Sequence, residues 1–99
     1  MGATETEKIL ARGSGKEHVD PGEIVEVAVD RVSMHDPGVM EVVEKFNEIV
    51  DAKLWDPERI SIFFDHHVPA TSIKWANHQS RIRRFAQENG ITHLYDCGR

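Results

Sequence analysis

The stretch "ISIFFDHHVPA", Ile60 to Ala70, decides the fold. Its first five residues are apolar except for Ser61, and the turn signal Asp56-Pro57-Glu58 stands just before them. Such a run reads as a strand from Ile60 to Phe64, buried on both faces as in a parallel sheet. An acid and two imidazoles then follow without a spacer, Asp65, His66 and His67. Open α/β sheets bind ligands outside the carboxyl ends of their strands. The triplet therefore stands where chemistry is expected.

The chain on either side supplies the rest of an α/β pattern. After Pro69, a helix is predicted from about Thr71 to Asn89. Thr71 or Ser72 can cap it, Gly90 stops it, and Trp75, Ile82, Phe85 and Ala86 form its inward stripe. "ITHLYDC", Ile91 to Cys97, reads as a further strand. Upstream, Val39, Val42, Val43, Phe46, Ile49 and Val50 recur at helical spacing. "RVSMHDPG", Arg31 to Gly38, reads as a loop. "EIVEVAVD", Glu23 to Asp30, alternates like a strand, with Val25, Val27 and Val29 on one face. Asp20-Pro21-Gly22 is a turn. Thr4 and Glu7 have capping-box spacing and open a short helix that Gly13-Ser14-Gly15 ends. The order αβαβαβ predicts an α/β fold, a three-layer α/β/α arrangement with a mostly parallel sheet. Residues 1–99 are expected to form a single partial domain.

The bulk numbers bound the function. With 99 residues the chain is one domain at most, able to bury about two thirds of its unfolded surface. Hydrophobic residues make up 39% and charged residues 29%, as in ordinary globular proteins. The net charge of −5 disfavours a sequence-independent grip on nucleic acid phosphates. Arg81, Arg83 and Arg84 read as a solvated helix face. One cysteine, Cys97, excludes an intrachain disulfide and fits a reducing, cytoplasmic setting. No apolar run approaches the roughly 20 residues that span a bilayer. Met1-Gly2 begins like a myristoylation site without further support.

Two polar clusters share the carboxyl side of the expected sheet: Asp65-His66-His67 after the buried strand, and His35-Asp36 in the loop after the first. The end of the third strand, Asp96-Cys97-Gly98-Arg99, is a neighbour. A carboxylate beside an imidazole fixes the ring and raises its pKa, so a proton is available near neutral pH. Such a pair can protonate a poor leaving group such as hydroxyl. His67 is read as a cap for the following helix. His18, His78 and His93 are read as surface or packing residues.

Two families share this triplet. The first is the DHH phosphoesterases, in which Asp and His bind manganese and activate water. They also carry an Asp-x-Asp on an earlier strand, and this chain, with Glu26, Asp30 and Asp36, has none. The second resemblance covers essentially the whole chain. "EKILARGSGKEHVDPGEIVEVAVDRVSMHD" and "WDPERISIFFDHHVPATSIKWANHQSRIRRFAQENGITHLYDCGR" resemble the N-terminal segment of the aconitase family, nearest to large subunits of the 3-isopropylmalate dehydratase and homoaconitase type. The shared pieces are the Glu-Lys-Ile-Leu-Ala helix, the Pro-Gly-Glu turn, Val-Asp before a His-Asp loop, and a strand ending in Asp-His with a proline soon after.

The resemblance implies dehydration and hydration of a hydroxylated di- or tricarboxylate. It implies that Asp65 and His66 are the catalytic pair, the imidazole protonating the departing hydroxyl, and that His35 contacts substrate. It implies a 4Fe-4S cluster as Lewis acid, with three cysteine ligands far downstream; Cys97 matches none of them. It also implies two protein partners, the remainder of the large subunit and a small, swivelling-domain subunit. Pro37-Gly38 departs from the family, which usually has a small hydroxylated residue there. The Gly-Ile-x-His stretch and the substrate-binding arginines would lie beyond Arg99. An isolated segment of this kind is expected to be inactive and marginally stable or self-associating, with an exposed sheet edge. A non-catalytic interaction module that keeps the fold is the third alternative.

Overall fold

The computed structural model describes residues 2–98. Met1, of the Met1-Gly2 pair, and Arg99, at the third strand's polar end, lie outside the described residues. The chain folds as two compact units, Met1–Asp30 and Arg31–Arg99.

In the first unit, helix α1 spans Glu5–Ser14. Thr4 and Glu7 form the expected capping box: the Glu7 N–H donates to Thr4 Oγ1, and the Thr4 N–H donates to Glu7 Oε2 at 2.8 Å. Gly15 ends the helix at φ 72°, and the Lys16 N–H donates back to the Ala11 carbonyl. The positive φ is the reason for a glycine there. "EIVEVAVD" corrects the reading above, for it joins no ladder. Its Ala28 N–H donates instead to the Gly13 carbonyl at 3.0 Å. Ile24 is 97% exposed. Alternation signals an extended chain, but a strand also needs a neighbour to pair with, and residues 23–30 find none.

The second unit is built on three parallel strands in the order β1-β2-β3: β1 Val32–His35, β2 Ile60–Phe63 and β3 His93–Tyr95. Helices α2, Asp36–Glu48, and α3, Ile73–Glu88, make the two crossovers. β1 lies in the segment read as a loop. Its register with β2 runs from Val32↔Ile60 to His35↔Phe63. Helix α2 starts earlier than its apolar spacing suggested, with Pro37 in its first turn.

When strand order simply advances, right-handed crossovers place successive helices on one face of the sheet. The core agrees. Val39, Met40 and Val43 of α2 and Ile82, Phe85 and Ala86 of α3 pack with Ile60, Ile62 and Phe64. Phe46 meets Phe85 edge to face at 5.3 Å. The α/β class with a parallel sheet holds. The expectation that the central strand is buried on both faces does not, because Phe63 on the other face is 38% exposed. Among the described residues of this unit, the two long helices both lie against the Ile62 face. Trp75, placed by spacing in the inward stripe, is only half-buried; Gln79 is the buried polar residue of α3. Arg81, Arg83 and Arg84 are exposed as expected. Arg83 also pairs with Asp96, its Nη2 donating to Oδ1 at 3.0 Å.

Candidate functional site

β1 and β2 are neighbours in register, so their carboxyl ends deliver side chains to one place. His35 closes β1 and is the residue before the first turn of α2. Asp65 and His66 follow β2 after Phe64, whose N–H makes a sheet bond to the Tyr95 carbonyl. The three residues anticipated from the sequence come together. His66 Nδ1 lies 2.7 Å from Asp65 Oδ1. His35 Nδ1 lies 3.3 Å from His66 Nδ1 and 3.6 Å from the same Asp65 oxygen. The two rings are tilted by 51° with centroids 4.8 Å apart. Asp65 and both imidazoles are each about half-exposed, so the group opens to solvent.

Parallel register also fixes what lies beside them. His35, Phe63 and Tyr95 occupy one row across the sheet. Phe63 and Tyr95 stack at 4.8 Å. The site therefore sits at the edge of the sheet face that no helix of this unit covers.

The electrostatics follow from the contacts. The hydrogen bond that His66 donates to Asp65 raises the His66 pKa above its ordinary value, desolvation opposes it, and the nearby charges of Asp65 and Asp36 add to the rise. The same hydrogen bond holds the Asp65 carboxyl below its ordinary range. A 2.7 Å approach to a carboxylate oxygen requires the hydrogen of His66 on Nδ1. Nε2 is then the nitrogen left to exchange a proton with a ligand.

Two residues to which the sequence reading gave no role, Asp36 of the His35-Asp36 cluster and Gln79, hold this turn in place. Asp36, the first residue of α2, is fully buried. Its Oδ1 accepts the His66 N–H at 3.2 Å and its Oδ2 accepts the His67 N–H at 2.9 Å. Gln79, from α3, donates its side-chain amide to the His67 carbonyl at 2.7 Å. A polar residue within the apolar stripe of α3 was the available signal for Gln79. Asp36 stood beside His35 in the polar cluster read from the sequence, but nothing there showed that its carboxyl would hold the turn after β2.

The remaining candidates lie apart from this group. His67 is not a helix cap; Ser72 is, accepting from the Trp75 N–H at 3.2 Å. His67 instead stacks on Trp75 at 3.6 Å and bonds Thr71 Oγ1 through Nδ1. His78 packs edge-on to Trp75, and His93 Nε2 is 3.4 Å from Glu58 Oε2. Cys97 and His18 are exposed. Ligand atoms of His35, Asp36, Asp65 and His66 all lie within 4.8 Å of one another, and these are the described residues with the geometry to approach a cation. Both Asp36 oxygens, however, already accept backbone amides.

An acid–imidazole pair stands at neighbouring strand ends of a small parallel α/β layer, an arrangement able to carry a proton. No protein-family model matches it. A protein of Methanothermobacter thermautotrophicus named "Probable 3-isopropylmalate dehydratase large subunit" is 46% identical over 96 residues, covering 97% of this chain and 23% of its own length. The "3-isopropylmalate dehydratase large subunit" of Herpetosiphon aurantiacus is 38% identical, covering 100% of this chain and 24% of its own. A "Probable methanogen homoaconitase large subunit", also from Methanothermobacter thermautotrophicus, is 44% identical over 91% of this chain and 22% of its own length. The chain belongs to the family of 3-isopropylmalate dehydratase and homoaconitase large subunits, and it spans about a quarter of the length of these relatives. The resemblance drawn from the sequence is borne out. The manganese phosphoesterase and interaction-module alternatives find no support among these names. No helix among the described residues is long and apolar enough to cross a membrane.

Proposed function

We propose that this chain is the N-terminal segment of an aconitase-type hydro-lyase large subunit, and that Asp65 and His66 are its proton-transfer pair. The observation that carries the reading is the 2.7 Å contact of His66 Nδ1 with Asp65 at a half-exposed strand end. In the dehydration direction, protonated His66 gives its Nε2 proton to the departing hydroxyl of a hydroxy di- or tricarboxylate. The C–O bond breaks and water leaves, while the C–H pair of the neighbouring carbon becomes the double bond and its proton passes to a base from the remainder of the large subunit; hydration reverses both proton transfers. Asp65 keeps the ring oriented and stabilises its charged form. His35, 3.3 Å away, is placed to contact the same substrate.

The site needs more than this chain. A 4Fe-4S cluster, the Lewis acid that the resemblance implies, requires several thiolates, and this chain has the single exposed Cys97. Its residues do not make a cluster site. In our reading the cluster ligands and the arginines for the substrate carboxylates come from the remainder of the large subunit. A small subunit completes the enzyme, as the words "large subunit" in the relatives' names suggest. The aromatic face of Phe63 and Tyr95 is where the remainder is expected to pack. The isolated chain should catalyse nothing. A lone, unpaired thiol is in keeping with a cytoplasmic enzyme.

The test is His66→Ala in the assembled large and small subunits, with 3-isopropylmalate as substrate. Loss of general acid–base transfer should lower kcat by about 10²–10⁴-fold while KM moves only a few-fold. Unchanged turnover would defeat the assignment.

A further inference from the structure

We propose that Asp36 is the positioning residue of this site, setting the place of the His66 imidazole through the backbone of His66 and His67. The inference rests on the reading that His66 transfers the proton. β2 ends at Phe63, and the last sheet bond of this strand is the Phe64 N–H to Tyr95. His66 therefore lies beyond the ladder, on a turn that the sheet itself does not hold. What holds it is a carboxyl group with no solvent exposure, accepting two successive amides, one on each oxygen. Gln79 secures the same turn from the opposite helix through the His67 carbonyl.

Asp36 is also the covalent neighbour of His35 and the first residue of α2. One side chain thus links the end of β1, the start of α2 and the turn after β2. It couples the two imidazoles whose Nδ1 atoms are 3.3 Å apart. Only a carboxyl group does this at that size. Asn presents one oxygen and one NH2, so one of the two amides would face a donor and lose its partner in a buried place. Displacing a reacting group by about 1 Å costs on the order of a hundredfold in rate. Asp36 touches no substrate in this account; it acts through His66.

The experiment compares Asp36→Asn and His66→Ala in the assembled enzyme, with kcat expressed per folded molecule. Asp36→Asn should lower kcat by about 10–100-fold with KM within about threefold, because substrate binding is left to other groups. A kcat per folded molecule equal to wild type would make Asp36 merely structural and overturn the proposal. If His66→Ala leaves turnover intact, the proton-transfer reading fails instead. Should Asp36→Asn not fold, amide hydrogen exchange in the wild-type enzyme decides. The His66 and His67 amides should exchange markedly more slowly than that of the exposed Val68. Exchange at the rate of Val68 would show that the Asp36 bonds do not hold the turn.

Discussion

Ile62 is the residue on which the site's foundation can be weighed. It is fully buried at the centre of the middle strand, three residues before Asp65, and packs among Val39, Val43, Ile82 and Phe85 of the same cluster. Ile62→Ala removes three carbon groups. At about 0.8 kcal/mol per buried methylene, the transfer loss is about 2.5 kcal/mol. Incomplete collapse around the cavity brings the cost to about 3–4 kcal/mol. A domain of this size has on the order of 5–15 kcal/mol of stability in total, so a large share is lost. Both tryptophans, Trp55 and Trp75, belong to the second unit, and their fluorescence during urea unfolding reports on that unit alone. With a slope of about 1–3 kcal/mol per molar urea, the midpoint should fall by more than 1 M. Val42→Ala, at a position 45% exposed on α2, should shift stability by no more than about 0.5 kcal/mol. An Ile62→Ala loss below about 1 kcal/mol would refute the assignment of the core to this face of the sheet.

Two further predictions concern the first unit and the open face. A Cβ on Gly13 would stand 2.4 Å from Val27 Cγ1, so Gly13→Ala should cost about 1–3 kcal/mol locally. The readout is the Ala28 amide, which donates to the Gly13 carbonyl and should exchange faster in the variant; unchanged exchange would contradict the contact. The isolated chain leaves Phe63 and Tyr95 uncovered, 38% and 43% exposed, and should self-associate or melt at low temperature. Sedimentation as a monomer together with a sharp, reversible, high-temperature melt would argue against a missing partner for that face.

Local signals in the sequence carried further than tertiary ones. The Thr4–Glu7 capping box, the stop in Gly13-Ser14-Gly15 and the cap at Thr71 or Ser72 depend on residues three or four apart; the box formed as read, and Gly15 and Ser72 are the residues that end α1 and cap α3. The apolar run from Ile60 identified the central strand. The strand misreading has one cause: a ladder is made by a distant partner. "EIVEVAVD" has better alternation than "VSMH", yet the latter pairs with β2. Asp36-Pro37-Gly38 read as a loop because Pro and Gly mark turns, although Pro is equally suited to the first turn of a helix. Trp75 has core spacing, but it stacks on His67 outside the main cluster. His35, Asp65 and His66 were legible because the order of elements puts their strand ends side by side. The roles of Asp36, named only as His35's neighbour, and of Gln79 were not, since their partners are backbone groups of a turn, and a sequence does not say where such groups point.

The central claim is that Asp65 holds His66 in a form ready to give up a proton. The direct measurement is an NMR titration of the His66 ring, with the Asp65→Asn variant beside it. The wild-type imidazole should titrate above the ordinary value of 6.5. Any stability this gives is then fully present below 6.5 and is lost as the pH rises through the raised pKa. Asp65→Asn should bring the titration down again, because the hydrogen bond with Asp65 is the main cause of the shift. A wild-type ring that titrates like a free histidine, unmoved by the substitution, would contradict the account.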